Sequence, residues 1–183
     1  MRLSVKWHSN FKGISRFHII ILALVSAMLL SLTGCMVHSA DFSDGLESGW
    51  ELTEYSCDSG NVGLFYSLKN LENGKLILVD SGNPENAEKV RGVIDGNGGH
   101  VDAWFLTHYH NDHIGAFNEV YEEYKDQIDR IFVNGKTAER YYKKYTEKAI
   151  GRDAICLPST SPANAAWSLD RLIEAWRIIR EWK

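Results

Sequence analysis

The sequence predicts a mixed α/β domain, strands and helices in layers, on three observations. Two apolar runs, 76–79 and 101–106, read as buried strands and are separated by an amphipathic helix. Asn73-Gly74 is the strongest hairpin signal in the chain and ties the first run to an earlier strand-like stretch. A histidine-rich loop follows directly on the second run, at the carboxyl end of a strand, where open α/β sheets place their chemistry. At 183 residues, with 44% hydrophobic and 24% charged side chains, the chain has room for one ordinary domain and is not of disordered composition.

In chain order, the first 34 residues read as a secretory leader. Arg2, Lys6, Lys12 and Arg16 form a positive region without acidic residues, and an apolar run of 14 residues, 19–32, follows. That run is short of the ~20 residues a membrane-spanning helix needs and fits the apolar core of a signal peptide. Leu32-Thr33-Gly34-Cys35 resembles the lipobox of bacterial lipoproteins, which implies cleavage before Cys35, a lipid on its sulfur and an extracytoplasmic, membrane-anchored domain. The alternatives are an uncleaved anchor and a buried helix. Residues 35–49 are polar and Gly/Ser/Asp-containing, as a tether is. Loss of the leader leaves 16 basic against 24 acidic residues, a net charge of −8. Such a surface speaks against non-specific nucleic-acid binding, although a bound metal reverses the sign locally and leaves a phosphodiester substrate open.

Residues 50–57 and 63–68 read as strands, and the hairpin leads to the strand 76–79, which ends in Asp80-Ser81-Gly82. Asn83 caps the next helix and Pro84 suits its first position; a full capping box is not expected, because Asn86 stands where Glu or Gln would. Ala87, Val90, Val93 and Ile94 form its apolar face, and Gly96, Gly98 and Gly99 end it. A lone histidine at a strand start is more often a surface residue, so His100 is left out of the site. Beyond the loop, Ala116, Phe117, Val120, Tyr121 and Tyr124 mark a helix, 131–133 a short strand, 136–148 a charged helix and 157–162 a loop. Tyr141, Tyr142 and Tyr145 suggest either a stacking surface or, more in keeping with their helical spacing, packing residues. A last amphipathic helix from about 165 carries a stripe of Leu169, Leu172, Ile173, Trp176 and Ile179 that must be buried against something. Cys57 and Cys156 can pair in an oxidising compartment, but nothing in the spacing requires it, and neither is assigned as a ligand.

The chemistry concentrates in Thr107-His108-Tyr109-His110-Asn111-Asp112-His113-Ile114-Gly115, which holds three of the seven histidines and one carboxylate within six positions. Imidazole with a carboxylate suits zinc, and four donors are more than one catalytic ion takes, so two ions are conceivable. This H-x-H-x-D-H pattern behind an apolar strand resembles the signature of the metallo-β-lactamase-fold hydrolases. The wording Asp102-Ala103-Trp104-Phe105-Leu106-Thr107-His108 is most similar to the hydrolase domain associated with competence proteins, which favours a phosphodiester over a β-lactam. The resemblance covers residues 50–135, the first half of that family's αββα sandwich, and leaves 136–183 as a helical segment of uncertain role. It implies His108 and His110 for a first zinc, Asp112 and His113 for a second, Asp112 orienting the attacking water, and Asp80 supporting the loop from behind the ligands. It also implies zinc-bound hydroxide as the nucleophile on a phosphodiester or other ester or amide.

The family's second half supplies a further histidine, a bridging aspartate and a last histidine, whereas this sequence has no histidine after His113. The resemblance therefore implies a truncated and impaired relative of a full-length hydrolase, or a short form that completes its site in a homo-oligomer. An alternative of another class is a non-catalytic metal- or partner-binding surface lipoprotein.

Overall fold

The structure, a computed structural model, describes residues 2–7 (backbone only), 49–57, 63–164 and 166–180. The lipidation expected at Cys35, and most of the leader and tether, lie outside the described residues.

One seven-stranded sheet runs in sequence order: β1 (Arg2–Trp7), β2 (Trp50–Ser56), β3 (Leu64–Asn70), β4 (Leu76–Val79), β5 (Ala103–Leu106), β6 (Ile131–Asn134) and β7 (Ile155–Leu157). The first three pairings are antiparallel and the last three parallel. Strand β1 falls within the stretch read as a leader and borders β2, with Val5 opposite Leu52. The β3–β4 hairpin is wider than a two-residue turn. Asn70 accepts from the amides of Glu72 and Asn73 and donates its own to Lys75, so an asparagine turn organises the loop and Gly74, at φ +73°, completes it.

Each parallel step is made through helices: Ala87–Asp95 (α1) between β4 and β5, Asn111–Tyr124 (α2) between β5 and β6, and Lys136–Tyr141 (α3) with Glu147–Ile150 (α4) between β6 and β7. Crossovers of this kind are right-handed, and here every step moves the same way across the sheet, so the helices fall on one face. The core bears this out: Val90 and Ile94 of α1, Phe117, Val120 and Tyr121 of α2, and Ala138 and Tyr142 pack with Phe65, Leu78, Trp104, Leu106 and Val133.

The opposite face carries Leu68, Ile77, Val79, Phe105, Phe132 and Leu157, alternate residues of the same strands. The stripe near the carboxyl end covers it. Helix α5 (Leu169–Trp176), capped by Ser168, and the 3-10 turn Arg177–Arg180 bring in Trp176 and Ile179. The Trp176 ring stacks on Phe105 at 6.0 Å and 8°, and its indole N–H donates to the Pro158 carbonyl. Leu169, placed in the stripe by its spacing, is 63% exposed at the first position of the helix.

Two local expectations are corrected. Asn86 does reach back: its Oδ1 accepts from the Asn83 amide at 3.1 Å while the Asn86 amide donates to the Asn83 carbonyl. A short amide side chain thus serves where Glu or Gln was thought necessary, because Pro84–Asn86 is a tight 3-10 turn. Residues 155–157, left unassigned or in a loop, form β7 on the sheet edge, so the sheet continues beyond Gly135. Cys57 and Cys156 form no disulfide; the Cys57 thiol donates to Glu85 instead.

Candidate metal centre

The histidine loop sits at the carboxyl end of β5, flanked by the loops that leave β4 and β6, which puts it at the sheet edge to which three strands deliver residues. Its anchor is Asp80. The residue is buried and has φ +56°, the one non-glycine with positive φ among the described residues. That conformation turns the chain sharply at the end of β4 and is tolerated by aspartate better than by most side chains. It is held on the main-chain side by the Asp80 amide donating to Phe105 and by the Trp104 indole donating to the Asp80 carbonyl. The carboxylate is thereby aimed under the loop. Oδ1 accepts the Thr107 amide at 2.8 Å; Oδ2 accepts the Thr107 hydroxyl at 2.6 Å and contacts His113 Nδ1 at 2.7 Å.

The first turn of α2 is fastened to the same corner. Ser81 Oγ donates to the His113 carbonyl and accepts from the Phe117 amide, the two groups that an uninterrupted helix pairs directly, so this hydroxyl is inserted at the helix start. The Ser81 amide also donates to the His113 carbonyl. Gly115 permits the approach: a Cβ there would lie 2.4 Å from Pro84 Cδ. Asp112, in the first turn, places its charge where the helix dipole favours one.

With Nδ1 held by Asp80, His113 presents Nε2 toward Asp112, 3.5 Å from its Oδ2. The His108 ring lies 3.6 Å from that of His113 and 4.9 Å from that of His110, which caps α2 and is exposed. The Thr107 hydroxyl lies 3.1 Å from His108 Nδ1. Burial presses both inner imidazoles toward the neutral form. At His113 the hydrogen bond and charge of Asp80, with Asp112 adding, overturn this and hold the pKa above the usual imidazole value. At His108 burial and the neighbouring His113 prevail over Asp80, and the pKa is lowered. His108, an oriented His113 and a carboxylate together are a donor set whose chemistry fits zinc.

The loop's four donors share one corner but do not converge on a point. Among the described residues, the group whose donor atoms all lie within 4.8 Å of one another is His100, Asp102 and Asp129, at the amino ends of β5 and β6. Sequence reasoning set His100 aside, and only the parallel pairing of β5 with β6 brings Asp129 to it. Part of that group is already engaged: Asp102 accepts the Leu76 amide at 2.8 Å and lies 3.9 Å from Lys75 Nζ. Nothing in the sequence marks Thr107 or Ser81 as a brace, because their partners Asp80, His113 and Phe117 are set by the fold.

The family model of the metallo-beta-lactamase superfamily matches residues 56–158, more than half of the chain. The chain belongs to this superfamily. The match spans Asp80, the histidine loop, α3, α4 and β7. Solved structures similar to it include TMB-1 (15% identity, 52% of this chain and 43% of that one, TM-score 0.36). Others are a metallo β-lactamase from Hirschia baltica (17%, 64% and 51%, TM-score 0.35) and FIM-1 from Pseudomonas aeruginosa in its mono-zinc form (14%, 62% and 47%, TM-score 0.35). The chain spans about half the length of these superfamily members.

Proposed function

We propose that this chain is a metal-dependent hydrolase domain of the metallo-β-lactamase superfamily that holds zinc through His108, His110, Asp112 and His113 and acts on a phosphodiester or related ester. The observation that carries the reading is the Asp80 corner. A buried carboxylate in a left-handed conformation, bonded to Thr107 and to His113 Nδ1, fixes one ring with Nε2 outward, and a merely histidine-rich surface loop has no need of that. Zinc, when bound, supplies an acidified water and a positive charge for the oxygen of the scissile group. The chain's own residues do the rest. Burial lowers the His108 pKa and so favours the neutral imidazole that coordinates, Thr107 braces it, and Asp112, beside His113 at the start of α2, can accept a proton from the attacking water. This sequence brings no histidine beyond the loop, so weak zinc affinity is expected of the 183-residue chain. We further propose the extracytoplasmic side of a bacterial membrane as its location, through a lipid on Cys35; Cys35→Ser should then abolish incorporation of labelled fatty acid.

The test is hydrolysis of bis(4-nitrophenyl) phosphate by the zinc-supplemented chain. Measurable turnover that Asp112→Asn lowers by about 100-fold or more supports the reading, in line with the effect of removing a general base. Zinc bound at the loop without turnover on any ester favours a non-catalytic metal-binding lipoprotein instead.

A further inference from the structure

Beside the metal loop lies a cavity of about 440 Å³ whose lining includes His108, Leu106, Ile114 and Val133 together with Tyr109, Tyr141 and Tyr145. Helices α3 and α4 are joined by a π turn, Tyr142–Thr146. Across it the residues separate by face. Ala138, Tyr142 and Thr146 are buried, whereas Tyr141 and Tyr145, four apart, point the other way. Tyr141 stacks on Tyr109 of the metal loop, with ring centroids 3.5 Å apart and 16° between planes, and Tyr145 continues the column at 6.0 Å and 16°. Tyr109 is 39% and Tyr145 59% exposed. Three near-parallel rings thus run from the histidine loop toward solvent, and the terminal residue is the most exposed of them. Two cations lie over the rings, Arg140 at 5.1 Å from the Tyr141 centroid and the long, movable Lys144 side chain at 4.7 Å from that of Tyr145, where an incoming ring would displace it. Glu139 takes Lys136 and Lys143, so Arg140 and Lys144 keep no carboxylate partner among the described residues.

We propose that the column Tyr109–Tyr141–Tyr145 is a substrate-binding platform that stacks a planar aromatic ring bearing a phosphate, with Arg140 and Lys144 taking the negative charge. The platform adjoins the loop through Tyr109, and its being a substrate site rests on the hydrolase reading of that loop. Packing alone does not account for the arrangement. Tyr142 already fills the core position of this helix, and Tyr109 and Tyr145, 39% and 59% exposed beside the cavity, gain little burial from the column. A ring laid on such a face is held without regard to its edge pattern, so the platform selects aromatic over non-aromatic phosphates rather than one base over another.

Equilibrium binding of adenosine 5′-monophosphate, 4-nitrophenyl phosphate and ribose 5-phosphate to the zinc-supplemented chain tests this, with zinc content measured on the same samples. The expected result is binding of both aromatic phosphates about tenfold or more tighter than ribose 5-phosphate, the factor one stacked ring contributes. Tyr145→Ala should remove that advantage without changing ribose 5-phosphate binding, and Tyr145→Phe should retain it. The ratio between the two aromatic probes shows whether a nucleobase or a simple aryl ring fits better. Equal affinity for all three ligands, or an aromatic preference untouched in Tyr145→Ala, overturns the platform. Zinc retained together with such a result overturns the platform alone. An intact preference with no zinc at the loop supports the platform and contradicts the metal-centre reading.

Discussion

Replacing Asp80 with alanine removes the acceptor for the Thr107 amide, the Thr107 hydroxyl and His113 Nδ1 in one step. Hydrogen bonds to a charged partner contribute about 1.5–3 kcal/mol each, but removing a buried carboxylate also relieves its desolvation and lets water reach the half-buried Thr107, so a net loss of about 3–5 kcal/mol is expected. Backbone conformation adds a second, separable effect. At φ +56° alanine is disfavoured by about 1 kcal/mol against glycine, so Asp80→Gly should be the less damaging of the two despite losing the same bonds. Asp80→Asn keeps an oxygen for the Thr107 amide but presents an NH₂ where Oδ2 accepted, which places its cost at about 1–3 kcal/mol. Urea unfolding with linear extrapolation reads all three, provided the slopes match. A loss below about 1 kcal/mol in Asp80→Ala, or no advantage of glycine over alanine, would refute the view that Asp80 is the anchor of this corner.

Three further outcomes follow from the same packing. Gly115→Ala forces a Cβ to within 2.4 Å of Pro84 Cδ and 2.6 Å of its nitrogen, and the start of α2 must shift; a loss of about 1–3 kcal/mol in urea unfolding is expected, together with weaker zinc binding. Trp176→Ala strips the ring that covers Phe105 and should cost about 3–5 kcal/mol, with dye binding to newly exposed apolar surface as a second readout. Reducing agent should leave the thermal midpoint unchanged, because neither Cys57 nor Cys156 is in a disulfide; a fall of several degrees would show otherwise.

The sheet was legible where side chains announce it. The runs at β4 and β5 are buried on both faces and read as continuous apolar stretches, and the helix between them carries its own cap and glycine stop. Strand β7 was not, since three residues ending just before Pro158 are too few to show a period. The tyrosines of the 136–148 stretch illustrate a different limit. Spacing alone treats Tyr141, Tyr142 and Tyr145 as one group, but the helix sends Tyr142 into the core and the other two toward Tyr109, a partner more than thirty positions away that no local pattern reveals. At the site, the ligand types are written in the sequence, whereas the left-handed turn at Asp80 and the Ser81 hydroxyl inserted at the head of α2 are products of tertiary fit. The stripe on α5 announced that an apolar surface needed cover, and the one-sided placement of the crossover helices explains which surface it is.

Zinc titration of variants tests the central claim most directly, because the chain offers two candidate groups at opposite ends of the same strands. If the loop is the metal centre, His108→Ala and His113→Ala abolish zinc binding while His100→Ala and Asp129→Ala leave it unchanged. Loss of zinc in His100→Ala and Asp129→Ala, with binding intact in the loop variants, would contradict the account and move the metal site to the amino ends of β5 and β6.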